Sequence, residues 1–231
     1  MLKRKSPKKA NRRRSIITRD QPRSPISEQF RTIRTNIQYA AVDDVMQVVM
    51  GTSAGPGDGK TTVNTNLAVT MSQQGGRVLL IDADMRKPTM HYSFGVPNHR
   101  GLSSVITHQS SLSQAIQPTN VDDLDVLTCG PIPPNPSELL SSKTMTMMMT
   151  EARSLYDYIV IDTPPVIAVT DAQIIAGLSD GAMLIVSSGE TEIDDGKKAV
   201  ERLAQSGVKM LGAVLNRQAR TGKQYAYYYG S

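Results

Sequence analysis

Residues 46–62 read MQVVMGTSAGPGDGKTT, and the order of residue types in that stretch decides the fold. Val48, Val49 and Met50 make a short apolar run that stops at Gly51. A glycine-rich turn follows, and Gly59-Lys60-Thr61-Thr62 opens a segment in which Val63, Leu67 and Met71 recur at helical spacing. A strand that feeds such a turn into a helix N-terminus gathers backbone N–H groups and the positive end of the helix dipole around one small volume. That volume suits a polyphosphate. Lys60 is placed to meet the outer phosphates as a point charge, and the Thr61 hydroxyl to coordinate the Mg²⁺ that bridges them. Against the pattern G-x-x-x-x-G-K-[ST] the chain is one glycine short: Ala54 stands at the first position, with Gly55 and Gly57 as neighbours that supply backbone freedom.

Outward from this loop, apolar strands alternate with helical segments. Val78 to Ile81 ends in Asp82-Ala83-Asp84-Met85-Arg86, and Tyr158 to Ile161 ends in Asp162-Thr163-Pro164-Pro165. Ligands of open parallel sheets collect at the carboxyl ends of strands, which carries Asp82, Asp84 and Asp162 toward the phosphate loop. Carboxylates there can divide labour, one holding metal-bound water and another accepting a proton from an incoming hydroxyl. Leu124 to Thr128, Ala182 to Val186 and Met210 to Leu215 read as further strands, with a helix through Ala199 and Leu203 between the last two. The pattern predicts an α/β fold of P-loop NTPase type, a mostly parallel sheet with helices on both faces. Asn135-Pro136-Ser137-Glu138 combines helix-start signals, and Met145, Met147, Met148 and Met149 are expected to pack in that helix's continuation as core. His91, His99 and His108 are scattered without ligand spacing.

The 231 residues suffice for one domain with tails, and the 39% hydrophobic content for a core. No apolar run approaches the roughly 18 residues of a membrane span, and no apolar stretch of a secretory leader follows the basic start, so a cytoplasmic chain is expected. The single Cys129 can make neither an internal disulfide nor a multi-cysteine metal site, and reads as a small buried residue. The net charge of +5 averages two unlike parts: residues 1–23 hold ten Lys and Arg against Asp20 alone, and the remainder is mildly acidic. A flexible basic tail is expected over 1–23, drawn to anionic lipid at about 1 kcal/mol per basic residue near a surface, or to nucleic acid, or simply solvated. Next, Ser24-Pro25-Ile26-Ser27-Glu28 starts a helix whose apolar face is Phe30, Ile33, Ile37 and Ala40. Glu28, Arg31 and Arg34 run beside that face, as a local ion pair or as a contact with another subunit. At the other end, residues 223–231 carry Tyr225, Tyr227, Tyr228 and Tyr229 between glycines, either a mobile set of phosphate acceptors or an added edge strand.

Together these motifs resemble one family. Ala54-x4-Gly59-Lys60-Thr61, Leu79 to Arg86 and Ile159 to Pro165 are similar to the Walker A, A′ and B motifs of bacterial tyrosine kinases. Glu28-x-x-Arg31-x-x-Arg34 resembles that family's oligomerisation motif, and Tyr225 to Tyr229 its autophosphorylated cluster. The resemblance spans residue 24 to the end. It implies a kinase domain over 24–222, of the kind found in Gram-positive capsule and exopolysaccharide systems as a separate chain, peripheral at the inner membrane face through a membrane adaptor that activates it. It further implies ATP and Mg²⁺, a ring of subunits that phosphorylate each other's tails, reversal by a tyrosine phosphatase, and other protein substrates; nucleic acid is not an expected partner. Residue by residue, it implies phosphate neutralisation by Lys60, proton acceptance by Asp82, and metal contacts from Thr61, Asp84 and Asp162. Nucleotide contacts are expected from Gly55, Gly57, Asp58, Gly59, Lys60, Thr61 and Thr62 in the loop and Asn216 at the end of the last strand.

A dimeric ATPase switch of the partitioning or division-site kind is the alternative on the same fold. Such proteins carry a second lysine near the start of the phosphate loop, where this chain has Gly55, and no tyrosine tail. An iron–sulfur scaffold needs paired cysteines. A membrane or nucleic-acid module alone would leave the nucleotide site idle.

Overall fold

The computed structural model describes residues 15–40 and 46–219. Its elements run α1 (Ile17–Asp20), α2 (Pro25–Tyr39), β1 (Val48–Ser53), α3 (Lys60–Ser72), β2 (Val78–Asp82), α4 (Met90–Phe94), α5 (Leu102–Ile106), α6 (Leu112–Ala115), β3 (Gln117–Pro118), β4 (Leu124–Leu127), α7 (Pro136–Leu140), α8 (Lys143–Leu155), β5 (Tyr158–Asp162), α9 (Asp171–Ala176), β6 (Gly181–Ser187), α10 (Ile193–Ala204) and β7 (Lys209–Asn216). Among the described residues seven strands form one sheet in the order β3-β4-β2-β5-β1-β6-β7, parallel throughout except for the short β3 against β4. The expected α/β sheet is therefore present. Because helices cover both faces, β1 and β2 are buried along their whole length, which is why they read as unbroken apolar runs. Side chains alternate between two cores. Val48 and Met50 face the side of α8, α9 and α10, with Ile161, Met148 and Leu203, while Val49 faces α2 and α3, with Leu67, Leu80 and Val160.

Register places the chemistry. Gly51 lies beside Asp162 across β1 and β5, and Asp82 lies beside Asp162 across β2 and β5. The strands therefore end together at the carboxyl edge, where α3 begins. That helix is buried on nearly every side, polar residues included. Three of its polar side chains bond its own backbone: Thr70 Oγ1 donates to the Leu67 carbonyl at 2.8 Å, Ser72 Oγ to Val69 at 3.1 Å, and Asn66 Nδ2 to Thr62 at 2.8 Å.

Two expectations need correction. The basic tail does not extend to residue 23, since residues 15–23 are folded. Ile16 and Thr18 are buried, with the Thr18 hydroxyl 2.9 Å and its N–H 3.0 Å from Asn66 Oδ1 on α3. Likewise the helix begun at Pro136 does not continue through the methionines. It ends at Leu140, and Ser142 starts α8 afresh by accepting from the Met145 N–H at 3.1 Å. Met145, Met148 and Met149 are core, but Met147 faces solvent. As expected, Ser24 caps α2, accepting from the Ser27 N–H at 3.2 Å, with Pro25 in the first turn, and Cys129 is buried.

Candidate active site

The loop between β1 and α3 takes its shape from two glycines, Gly57 at φ 96° and Gly59 at φ 93°. Gly55, also expected to lend freedom, does not adopt positive φ, and neither does Ala54, whose Cβ is therefore admissible at the family's first glycine position. Among the described residues no side chain caps the start of α3, which leaves its first N–H groups for a ligand.

A brace of side chains holds the loop. Asp58 is buried and turned away from the cleft: one oxygen accepts from the Gly55 N–H at 3.1 Å and the other from the Thr191 hydroxyl at 3.0 Å. Asn216 Nδ2 donates to the Asp58 carbonyl at 2.8 Å, and lies so close over Gly59 that a Cβ there would collide with it. Arg217, itself at φ 57°, donates to the Gly57 carbonyl at 2.7 Å and reaches Glu190 at 2.5 Å.

Three carboxylates meet one ammonium at the strand ends. Lys60 Nζ stands 2.9 Å from Asp84 Oδ2. Burial alone would lower the Lys60 pKa, but Asp162 and Asp84 outweigh it and hold the ammonium above its ordinary value. Thr61 Oγ1 donates to Asp162 Oδ2 at 2.6 Å, and Asn64 Nδ2 to Asp162 Oδ1 at 2.8 Å. Asp162 is nonetheless raised, because burial outweighs Lys60 and these two donors. Asp82 has no exposed surface and is raised further, first by burial and then by the charge of Asp162. It accepts backbone N–H bonds from Asp84 at 3.2 Å, Thr89 at 3.2 Å and Met90 at 3.1 Å.

A cleft of about 580 Å³ opens over this cluster. Gly57, Gly59, Lys60, Thr61, Thr62 and Asp84 line it, with Arg86, Lys87 and Arg217 adding cationic charge and Pro164, Pro165 and Val169 forming an apolar wall. Of the residues expected from the sequence, Asp82 and Asp162 are buried and do not line the cleft, and neither do Gly55, Asp58 and Asn216, which shape the loop. Arg86 is anchored bidentately on the buried Asp171, at 3.0 Å to each oxygen, and reaches Ser137 at 3.2 Å. Asn64, Thr191 and Arg217 were not anticipated, and no local spacing marks them.

The donor set fits Mg²⁺ held jointly with phosphates. Among the described residues no three His, Cys, Asp or Glu side chains could hold an ion by themselves. Mg²⁺ retains water and typically takes one or two carboxylates plus substrate phosphate, and the Thr61 hydroxyl, Asp162 Oδ2 and nearby Asp84 supply such hard oxygen donors.

The other expected residues fall elsewhere. Within the single chain Glu28 pairs with Arg31, which also donates to the Pro22 carbonyl at 2.6 Å, while Arg34 donates to the Thr70 carbonyl at 2.7 Å. Tyr225, Tyr227, Tyr228 and Tyr229 lie outside the described residues.

A family model described as an AAA domain matches residues 46–196. The chain is 52% identical over 216 residues to the tyrosine-protein kinase YwqD of Bacillus subtilis, covering 93% of this chain and 91% of that protein. It is 43% identical over 216 residues to the putative tyrosine-protein kinase CapB of Staphylococcus aureus, covering 93% and 95%. Among solved structures, the chimerical protein CapA2B2 superposes with a TM-score of 0.87 at 45% identity, covering 89% of this chain and 90% of that one.

Proposed function

The chain belongs to the bacterial protein-tyrosine kinases of capsule and exopolysaccharide systems, and from that premise we propose that it transfers the γ-phosphoryl group of ATP to Tyr225, Tyr227, Tyr228 and Tyr229 of a neighbouring copy. The observation that supports this most directly is the meeting of Lys60 with Asp84 at 2.9 Å in the cleft and of the cleft-lining Thr61 with the buried Asp162 at 2.6 Å, beside a helix start that no described side chain caps.

Lys60 and the N–H groups of the loop bind the phosphates and neutralise charge that grows as the terminal group moves. Thr61, Asp84 and Asp162 are the residues that would hold Mg²⁺; bound, the ion adds positive charge at the phosphate oxygens and lowers the proton affinity of the carboxylates around it. A phenol with pKa near 10 is a poor nucleophile at neutral pH. Proton acceptance as the O–P bond forms is assigned to Asp82, which has no exposed surface before ligands bind and must come within reach of the cleft once they do. The apolar wall of Pro164, Pro165 and Val169 offers an aromatic acceptor a dry surface. Contact between subunits through Glu28, Arg31 and Arg34, activation by a membrane adaptor and reversal by a phosphatase complete the proposal.

The test is mass spectrometry of the peptide from Gln224 to Ser231 after incubation with Mg-ATP. Phosphate is expected on the tyrosines, with a loss of at least about a hundredfold in Lys60→Met, the scale for removing one preorganised charge donor. Equal labelling of a folded Lys60→Met chain would overturn the site assignment. If protein from native cells carries phosphate and the isolated chain does not, an activator is required.

A further inference from the structure

We infer that Asn64 is a positioning residue for Asp162, fixing the carboxylate so that its second oxygen faces Thr61 and the phosphate end of the cleft. The inference rests on the proposal above that Thr61 and Asp162 would anchor Mg²⁺. Asn64 lies one turn after Lys60 on α3 and is wholly buried. Its Nδ2 serves two acceptors, Asp162 Oδ1 at 2.8 Å and the Gly51 carbonyl at 3.1 Å. The two Asp162 oxygens are therefore held from positions three residues apart on one helix, Oδ2 by Thr61 and Oδ1 by Asn64. A carboxylate with only one such partner turns about its broad terminal torsion. With both, it keeps one orientation before any ligand arrives.

Two costs show that Asn64 is more than filler. Its Oδ1 is buried with no hydrogen-bond partner among the described residues, a state that disfavours folding and that an apolar side chain of similar size would avoid. The second cost falls on β1. Gly51 sits inside a fully buried strand, where glycine packs nothing and weakens the strand. It is needed there because a Cβ would overlap Asn64 Oδ1 and stand 2.6 Å from its Cγ. The Gly51 carbonyl also accepts from the Thr163 hydroxyl at 3.3 Å, tying the residue after Asp162 to the same point. A bare oxygen and a mid-strand glycine thus converge on one bond to Asp162.

The test uses the full chain with a non-hydrolysable ATP analogue and Mn²⁺ as the probe, its binding followed by electron paramagnetic resonance. Asn64→Ala is expected to weaken Mn²⁺ affinity by about tenfold or more, the scale for losing a partner of a metal-holding carboxylate. Binding of the analogue in EDTA is expected to stay within about twofold, because the loop and Lys60 are untouched. Gly51→Ala should reproduce the loss by pushing the amide off Asp162, and Gly51→Ala with Asn64→Ala should add nothing further, as both remove one contact. Asn64→Leu guards against collapse of the site around the smaller residue, and is expected to lose the same affinity. Mn²⁺ affinity within twofold of the parent in either folded Asn64 variant, with only the melting temperature changed, would reduce Asn64 to packing and overturn the inference. Thr61→Ala and Asp162→Asn separate the two layers. If they too leave Mn²⁺ affinity unchanged, the anchor reading fails and takes the positioning role with it; if they weaken it and Asn64 variants do not, only the positioning role fails.

Discussion

Asp180 shows how one carboxylate can start a strand. It accepts the N–H groups of Gln47 at 3.0 Å and Val48 at 2.7 Å, where β1 begins, and meets Arg153 at 2.7 Å. Burial acts to raise its pKa, but Arg153 and the two N–H groups outweigh it, so the folded value lies below the ordinary 3.8. A depressed carboxylate stabilises the fold above its unfolded pKa and stops doing so as pH falls through its lower folded value. Asp180→Asn is therefore expected to cost about 2 kcal/mol at pH 7, on the scale of hydrogen bonds to a charged group, or about 4–8 °C in a domain of this size. In thermal melts the gap to the parent should close as pH drops below 3.8; a gap of constant size would show that Asp180 acts through shape alone. Residues such as Lys60, Thr61, Asp82, Asp84 and Asp162 were legible in the sequence because each ends an apolar run or opens a helix, and sheet topology then brings the ends together. Asp180, Asn64 and Arg217 were not. Their partners lie 132, 98 and 160 residues away, and no local pattern encodes such a meeting. Asp58 misled for the same reason, since only the fold brings Thr191 to its carboxylate and turns it from the cleft.

At the scale of elements, those marked by strong periodicity or by start signals, as Pro136 marks α7, were readable, while the fresh start of α8 at Ser142 and the short α1 were not. The inner strands and α2, α3 and α10 follow from apolar runs, helical spacing and the Ser24-Pro25 start. Helix α1 carries no such signal: four residues, ITRD, with charge at two of them. Its order comes from Thr18 on Asn66, 48 residues on, and from Ser27 on α2 donating to the Gln21 carbonyl at 2.7 Å. This arm therefore belongs to the domain. Thr18→Val, which keeps the shape and the N–H bond to Asn66 Oδ1 but removes the hydroxyl donor, is expected to cost about 0.5–1.5 kcal/mol, lowering the melting temperature by about 1–6 °C. Removing residues 2–14 keeps the contacts of Thr18 and Ser27 in place and should lower the calorimetric melting temperature by less than removing 2–23, which should destabilise at least as much as Thr18→Val. Equal melting of both truncations would return the arm to the solvent. The stripe on α2 is a different case. Spacing revealed Glu28, Arg31 and Arg34 as neighbours but could not reveal that Arg34 already serves the Thr70 carbonyl, which couples the stripe to the helix that begins at Lys60.

For the whole molecule, the question is whose tail enters whose site. The last strand ends on the phosphate loop itself, with Asn216 against Gly59 and Arg217 on the Gly57 carbonyl, so the chain leaves the fold beside its own cleft. Tyr225 follows Asn216 by nine residues, a reach of about 30 Å when extended. Closing a loop of that length on itself costs about 2 kcal/mol from (3/2)RT ln n, so reach does not forbid a copy from modifying itself. The proposed contact through α2 would favour transfer between copies, because it would hold a neighbour's cleft within reach of the same tail. The effective concentration of such a neighbour is on the order of millimolar. A mixture decides the matter: Lys60→Met with its tail intact, incubated with Mg-ATP and an active chain ending at Thr221. If transfer runs between copies, the inactive chain's tyrosines acquire phosphate, initial rates in the unmixed protein rise more steeply than linearly with concentration below assembly, and Arg31→Ala slows the mixed reaction severalfold. If the inactive chain stays unlabelled while the intact active chain labels itself at a rate per molecule independent of concentration, each copy serves its own tail, and the stripe on α2 has no part in the chemistry.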